Sequence, residues 1–179
     1  MTVRMIERAE RNRELDRLLI REGTALDVGT GGTMSMLFPS RKFSKVVGIS
    51  PYRPLIDVMR ARHLDRPEWS FECIDVRDYI LVEQFDLITM LHVVEHLSLP
   101  DLSAVLDRLV PACRKQFVIE TPDQFDSNES AIQEDGDPYE RHVSLVTGDF
   151  LAPWGFHPLV RYWQNERFSN TIYLRGDGE

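Results

Sequence analysis

Apolar residues at Met5, Ala9, Leu15, Leu18 and Leu19, set among charged neighbours, predict a helix over about 3–21 with one narrow buried stripe, ended by Gly23. A short apolar run at 24–28 then enters a glycine turn at 29–32, and 34–38 reads as one or two helical turns before Pro39. The run at 45–49 predicts a second strand. After it, Ser50 as N-cap and Pro51 at the first helical position start a helix with Leu55, Val58 and Met59 on one face. Further strands are predicted at 70–74, 85–90 and 116–119, the last two separated by a helix over 101–110 whose Leu102, Val105, Leu106 and Leu109 recur at helical spacing. Strands alternating with helices imply a parallel sheet covered on both faces. The rhythm breaks at the end, where runs at 158–163 and 169–174 are joined by only 164–168, too few residues for a crossover helix, so these two strands are expected to be antiparallel. The predicted fold is α/β: a three-layer sandwich with a doubly wound, mostly parallel sheet of about seven strands ending in an antiparallel hairpin.

Composition adds limits. At 179 residues the chain is expected to form one domain, 1–179, and 42% hydrophobic with 28% charged residues is a globular balance. With 21 Lys and Arg against 29 Asp and Glu, the net charge of -8 opposes non-specific attraction to nucleic acid or anionic membranes, and neither is expected as a partner. The basic residues of 4–21 are interleaved with Glu7, Glu10, Glu14 and Asp16, as on a solvated helix face. Cys73 and Cys113 lack CxxC spacing and read as buried free thiols. No run approaches about 18 apolar residues and the first residues carry charge, so a cytoplasmic location is expected.

In an open α/β sheet the ligand crevice lies beyond the C-terminal strand ends, at the residues following each strand. The first such turn, Leu26-Asp27-Val28-Gly29-Thr30-Gly31-Gly32, lets backbone approach a ligand where no Cβ intervenes, although a tight turn alone also favours glycine. This segment resembles the first motif of class I S-adenosylmethionine (SAM)-dependent methyltransferases. Other segments fit that family in order: Asp75 is similar to its acidic adenine contact, and 85–97 resembles the fourth strand and outgoing loop of its small-molecule, ubiquinone-biosynthesis-like members. Likewise 119–122 resembles the end of its fifth strand, and 141–150 with 154–156 the approach to its sixth; the likeness covers about 24–175. The resemblance implies a Rossmann-like methyltransferase fold, SAM as cofactor and S-adenosylhomocysteine (SAH) as product. It implies a cofactor site made of Asp27, Gly29, Thr30, Gly31, Ser50, Asp75, Val76, Leu91 and His92, and methyl transfer to oxygen or nitrogen of a small-molecule acceptor.

Two positions depart from the family pattern. Thr33 stands where the third glycine is usual, and Ser50 where an acidic residue usually accepts from both ribose hydroxyls. A hydroxyl is a poorer bidentate acceptor, a difference of about 1 to 2 kcal/mol. These departures keep open a catalytically silent protein of the same fold that acts by binding a ligand or partner. A nicotinamide dinucleotide fits less well: its GxGxxG turn requires glycine or alanine where Met34 stands, and no second cofactor half follows.

A methyl acceptor that carries a proton needs a base, and His142 and His96 are the candidate catalytic residues. His92 and His96 are four residues apart with Glu95 between them, but no third ligand lies at a convincing spacing, so no metal is expected. The connection 121–142 is long and acidic, with Asp123, Asp126, Glu129, Glu134, Asp135, Asp137 and Glu140; it reads as a lid loop, or else as a solvated one. Trp154, Phe156, Tyr162 and Trp163 are assigned to core and edge packing rather than to base stacking.

Overall fold

The computed structural model describes residues 3–31, 37–127, 137–164 and 168–176. Eight strands form one sheet: β1 (Arg4–Ile6), β2 (Glu22–Val28), β3 (Lys42–Ser50), β4 (Trp69–Cys73), β5 (Phe85–Leu91), β6 (Cys113–Pro122), β7 (His157–Trp163) and β8 (Ser169–Gly176), in the order β1-β7-β8-β6-β5-β2-β3-β4. Every pairing is parallel except β6 with β8 and β7 with β8, so the expected closing hairpin is present. The helices are α1 (Arg11–Leu18), α2 (Arg53–Arg62), α3 (Leu99–Leu109) and α4 (Gly148–Leu151).

Alternation along the strands assigns side chains to two cores. On one face Leu26, Val28, Ile88, Met90, Phe117 and Ile119 meet Leu102, Val105 and Leu106 of α3. On the other, Ala25, Leu87 and Val118 meet Leu15 and Leu18 of α1 and Ile56 and Met59 of α2. Buried polar side chains interrupt this second face, among them Gln116 and Asp27. Gln116 uses both ends of its amide on the backbone where α1 leads into β2, accepting from Ile20 N (3.1 Å) and donating to Leu18 O (2.8 Å). Asp27 lies opposite Thr89 in the parallel ladder and accepts its hydroxyl at 2.5 Å. Both cysteines are free thiols, Cys113 buried as expected but Cys73 only half-buried, and among the described residues no helix is long and apolar enough to cross a membrane.

Three local expectations need correction. The helix predicted over 3–21 is a strand, β1, then a 3-10 turn at Arg8–Glu10, then the shorter α1. Strand conformation wins at 4–6 because β7 offers a parallel partner, Arg4 facing Val160 and Ile6 facing Tyr162. That edge strand makes the sheet eight-stranded rather than seven-stranded. Ser50 does not cap a helix starting at Pro51: it is the last residue of β3, paired with Cys73, and α2 starts at Arg53 with Tyr52 in the N-cap position. Ser50 Oγ still accepts from Tyr52 N (3.2 Å), steering the chain out of the strand. Gly32, Thr33 and most of the predicted 34–38 turns lie outside the described residues, as do 128–136 of the acidic connection.

Candidate active site

From β2 the chain winds through β3 to β4 on one side of the sheet and later through β5 to β6 on the other. The switch between β2 and β5 opens a crevice at their C-terminal ends, the place such sheets use for ligands. A cavity of about 300 Å³ lies there, lined by Val28 and Gly29 at the end of β2, Ser50 at the end of β3, Asp75 to Arg77 after β4, and His92, Val93 and His96 after β5. Residues 137–141 and Val143 close one side of it.

The glycine turn is fixed from behind. Gly29 N and Thr30 N both donate to Ile49 O (2.8 and 3.0 Å), and Gly29 has φ +73°, a conformation in which a Cβ would also strike Val93. Thr30 is fully buried over Gly48, where a Cβ would lie 2.7 Å from its hydroxyl oxygen. Asp27 takes a hydrogen bond from Thr30 as well as Thr89, and burial outweighs both, pushing its carboxyl up to about 6. Gly31 differs. Its φ is not positive, and among the described residues a Cβ there would find only Gly29 O and Leu55 Cδ2, both at 3.8 Å.

Of the nine residues expected to hold a cofactor, five line the cavity: Gly29, Ser50, Asp75, Val76 and His92. Asp27 and Thr30 stand behind the turn, enclosed in protein, and Leu91 packs on the α1–α2 side of the sheet. Gly31 is in the turn but not among the described lining. Asp75 is already engaged: Oδ1 accepts from Arg77 N (2.8 Å) and Nε (3.0 Å), and Oδ2 from Arg77 Nη2 (2.7 Å). These bonds, chiefly that of the Arg77 side chain, hold the Asp75 carboxyl below its ordinary range. Arg77 was not anticipated from the sequence, although its place two residues after an acid is the spacing at which this turn closes.

A second cavity, of about 380 Å³, adjoins the first and shares His92, His96 and Glu140 with it; Glu95, Asp126 and His142 add to its lining. The structure brings the two candidate bases together: the rings of His96 and His142 meet edge to face at 5.0 Å. His96 Nδ1 lies 3.1 Å from Arg141 O. Burial lowers the pKa of His142, more than the neighbouring Glu95 raises it.

His92 is the only described non-glycine residue with positive φ (57°), held there as its N–H donates to Glu120 O (2.9 Å). Its ring sits between two buried carboxylates, Nδ1 3.2 Å from Glu95 Oε1 and Nε2 3.7 Å from Glu120 Oε1. Burial alone would discharge it, but the paired carboxylates, Glu120 foremost, raise its pKa to about 10. Glu120 is fully buried and is held near 2 against its own desolvation by His92 and Arg11. Arg11 reaches it from α1, Nε to Oε1 at 2.9 Å with Nη2 on the other oxygen, and Tyr162 of β7 donates its hydroxyl at 2.5 Å. Neither Glu120 nor Arg11 was anticipated as part of the site. The available signal was an ionisable residue directly following the apolar run 117–119, which a buried strand tolerates only with a partner.

Comparison with known proteins agrees with this fold. An N-methyltransferase, NodS from Bradyrhizobium japonicum WM9 in complex with SAH, superposes with a TM-score of 0.65 at 16% identity over 94% of this chain and 87% of that one. Magnesium protoporphyrin IX methyltransferase from Synechocystis PCC 6803 with bound SAH gives 0.59 at 17% identity over 85% and 74%. The complex between the Haloferax volcanii Trm112 methyltransferase activator and the putative methyltransferase gives 0.65 at 13% identity over 95% and 91%. At these identities the likeness is one of fold, and no curated protein matches the sequence. The family described as "Methyltransferase domain" matches residues 4–155, most of the chain, and with a glycine turn and cavity at the switch point of a methyltransferase-like sheet, the protein belongs to that family.

Proposed function

We propose that this protein transfers the methyl group of SAM to an oxygen or nitrogen of a small-molecule acceptor, leaving SAH. Gly31 is the observation that carries the reading. Among the described residues a Cβ there would meet only Gly29 O and Leu55 Cδ2 at 3.8 Å, and the backbone asks for no positive φ, so a ligand that passes close to the turn gives the glycine a reason. In this reading the turn at Gly29 to Gly31, Ser50, Asp75, Val76 and His92 form the cofactor site, with Asp27 and Thr30 supporting the turn from behind and Leu91 packed on the α1–α2 side of the sheet. When bound, SAM supplies both the electrophilic methyl and its own leaving group, so the chain has to position an acceptor and accept its proton. The second cavity holds the acceptor, His96 and His142 are the candidate proton acceptors, and the 121–142 connection, of which 137–141 border the first cavity, is the candidate lid.

Calorimetry with SAH on the full chain and on Gly31→Ala tests this. One-to-one binding is expected in the parent and a loss of about tenfold or more in the variant, with an unchanged circular dichroism spectrum and melting temperature. If neither SAM nor SAH binds the parent, the reading fails. A catalytically silent binding protein is the second reading, favoured by Ser50 at the expected ribose acid and by the commitment of both Asp75 oxygens to Arg77. Binding of SAH without methyl transfer to any compound of a broad hydroxyl and amine panel would favour it.

A further inference from the structure

The loop after β5 and the segment leading to α4 meet at one point. There Glu95, His96 and His142 each offer a ligand atom, and these atoms lie within 4.8 Å of one another. We propose that they form a binding site for a divalent transition metal, with zinc as the first candidate, open towards the second cavity.

The donor set is two imidazole nitrogens and one carboxylate oxygen, the kind of three-ligand set that suits zinc while leaving a coordination position free. Metal–ligand bonds of about 2.1 Å require donors roughly 3 to 4 Å apart, a closure within reach of side-chain rotation. The surroundings also prepare each donor. His96 Nδ1 faces a carbonyl oxygen, Arg141 O at 3.1 Å, which can only accept; Nδ1 therefore carries the proton and Nε2 keeps its lone pair. His142 is likewise hydrogen-bonded to the backbone of Asp126. Buried Glu95 is oriented by Thr121 Oγ1 on Oε2 (3.2 Å) and by the His92 ring on Oε1 (3.2 Å). Such outer contacts fix ligand geometry in metal sites. Glu95 O also accepts from Val143 N (2.8 Å) and Ser144 N (3.2 Å), which brings the chain beside His142 against the Glu95 loop without a metal.

All three donors line the second cavity and His96 lines the first as well, so the ion would stand where the two cavities join. With the ion in place His96 and His142 spend their lone pairs on it and no longer accept a proton; an acceptor hydroxyl in the open position would instead become more acidic, and its proton would pass to solvent water. This consequence rests on the methyl-transfer reading and narrows the acceptor to compounds with an ionisable hydroxyl; the metal site itself does not depend on it.

The test is zinc chloride titrated by calorimetry into the full chain after chelator treatment and its removal, with cobalt(II) absorption as a second reading. One ion per chain is expected, with visible cobalt bands of a four- or five-coordinate site. His96→Gln and His142→Gln should each weaken zinc by more than the roughly 10- to 100-fold that outer contacts contribute, and His157→Gln should leave it unchanged. Circular dichroism and melting of the metal-free variants establish that they fold, and either variant alone suffices. Absence of saturable one-to-one binding in the parent, or equal binding by a folded His96→Gln or His142→Gln protein, overturns the site. Calorimetry with SAH on the metal-free parent is read separately: failure there removes the methyl-transfer reading and leaves the metal result standing.

Discussion

Replacing Asp27 by asparagine should make the protein relatively more stable as pH rises. Asp27 is enclosed between β5 and the glycine turn, with the hydroxyls of Thr89 and Thr30 as partners and no cation paired with it among the described residues, so burial dominates and pushes its carboxyl from 3.8 up to about 6. Below 3.8 the folded and unfolded chains both hold the proton and the residue has no pH-dependent effect. Between 3.8 and about 6 the unfolded chain releases it while the folded chain keeps it, so rising pH favours unfolding. At about 1.4 kcal/mol per pH unit, the stability present below 3.8 and lost by the time pH has passed 6 is about 3 kcal/mol. Asparagine has nearly the same shape and an oxygen that accepts from Thr89, but it does not titrate. Urea unfolding followed by tryptophan fluorescence from pH 4 to 8 measures both proteins, and the difference between them is the informative quantity. Groups such as Asp86 and Glu120, whose lowered values give the opposite slope, are present in both and cancel. The variant should gain about 3 kcal/mol on the parent across that range, most of it below pH 7. A difference that stays flat with pH would refute the reasoning, because it would mean that folded Asp27 ionises as an ordinary carboxyl.

Arg11→Met strands Glu120 with part of its compensation and should cost about 3 kcal/mol in urea unfolding, whereas adding Glu120→Gln should recover much of that loss; equal losses in single and double variants would deny the coupling. Gln116→Leu leaves Ile20 N and Leu18 O without partners and should cost about 2 to 4 kcal/mol by the same measurement, a neutral result showing that those groups find others. Ser50→Asp places a carboxylate at the expected ribose position and should raise SAH affinity several-fold by calorimetry, about 1 kcal/mol; unchanged affinity in a folded variant would move the ribose elsewhere.

What the sequence made legible was whatever local periodicity or turn chemistry decides. The runs behind β2, β3, β5 and β6 were found within a few residues of their ends, and the 164–168 connection was short enough to require the β7–β8 hairpin. β1 was not legible. It has three residues, two of them exposed, and becomes a strand only because β7, more than 150 positions away, lies beside it. Ser50 shows the same limit: the sequence pattern fits an N-cap, but β4 extends its pairing to Cys73 and holds Ser50 in the sheet, displacing the helix start to Arg53. Local preference sets candidate boundaries, and the neighbouring strand chooses among them.

The site divides along the same line. Gly29 is recognisable because its turn requires positive φ, a demand written at a single position. The histidines could be named but not joined, since only the fold carries the segment holding His142 onto the loop holding Glu95 and His96. The carboxylate of Glu120 extends this logic to the start of the chain. It gathers Arg11 from α1, Tyr162 from β7 and His92 from the end of β5, so one buried charge ties the N-terminal helix to the wall shared by both cavities. Arg11 and His92 together offset the desolvation of Glu120, and removing either leaves it with one cation and the Tyr162 hydroxyl. The backbone of His92 is bent to a strained φ by the bond from its N–H to Glu120 O, so the position of β6 also sets the direction in which β5 leaves the sheet. A perturbation of α1 therefore reaches the cavity wall through two contacts, Arg11 to Glu120 and Glu120 to His92, which makes the segment before β2 part of the site's foundation.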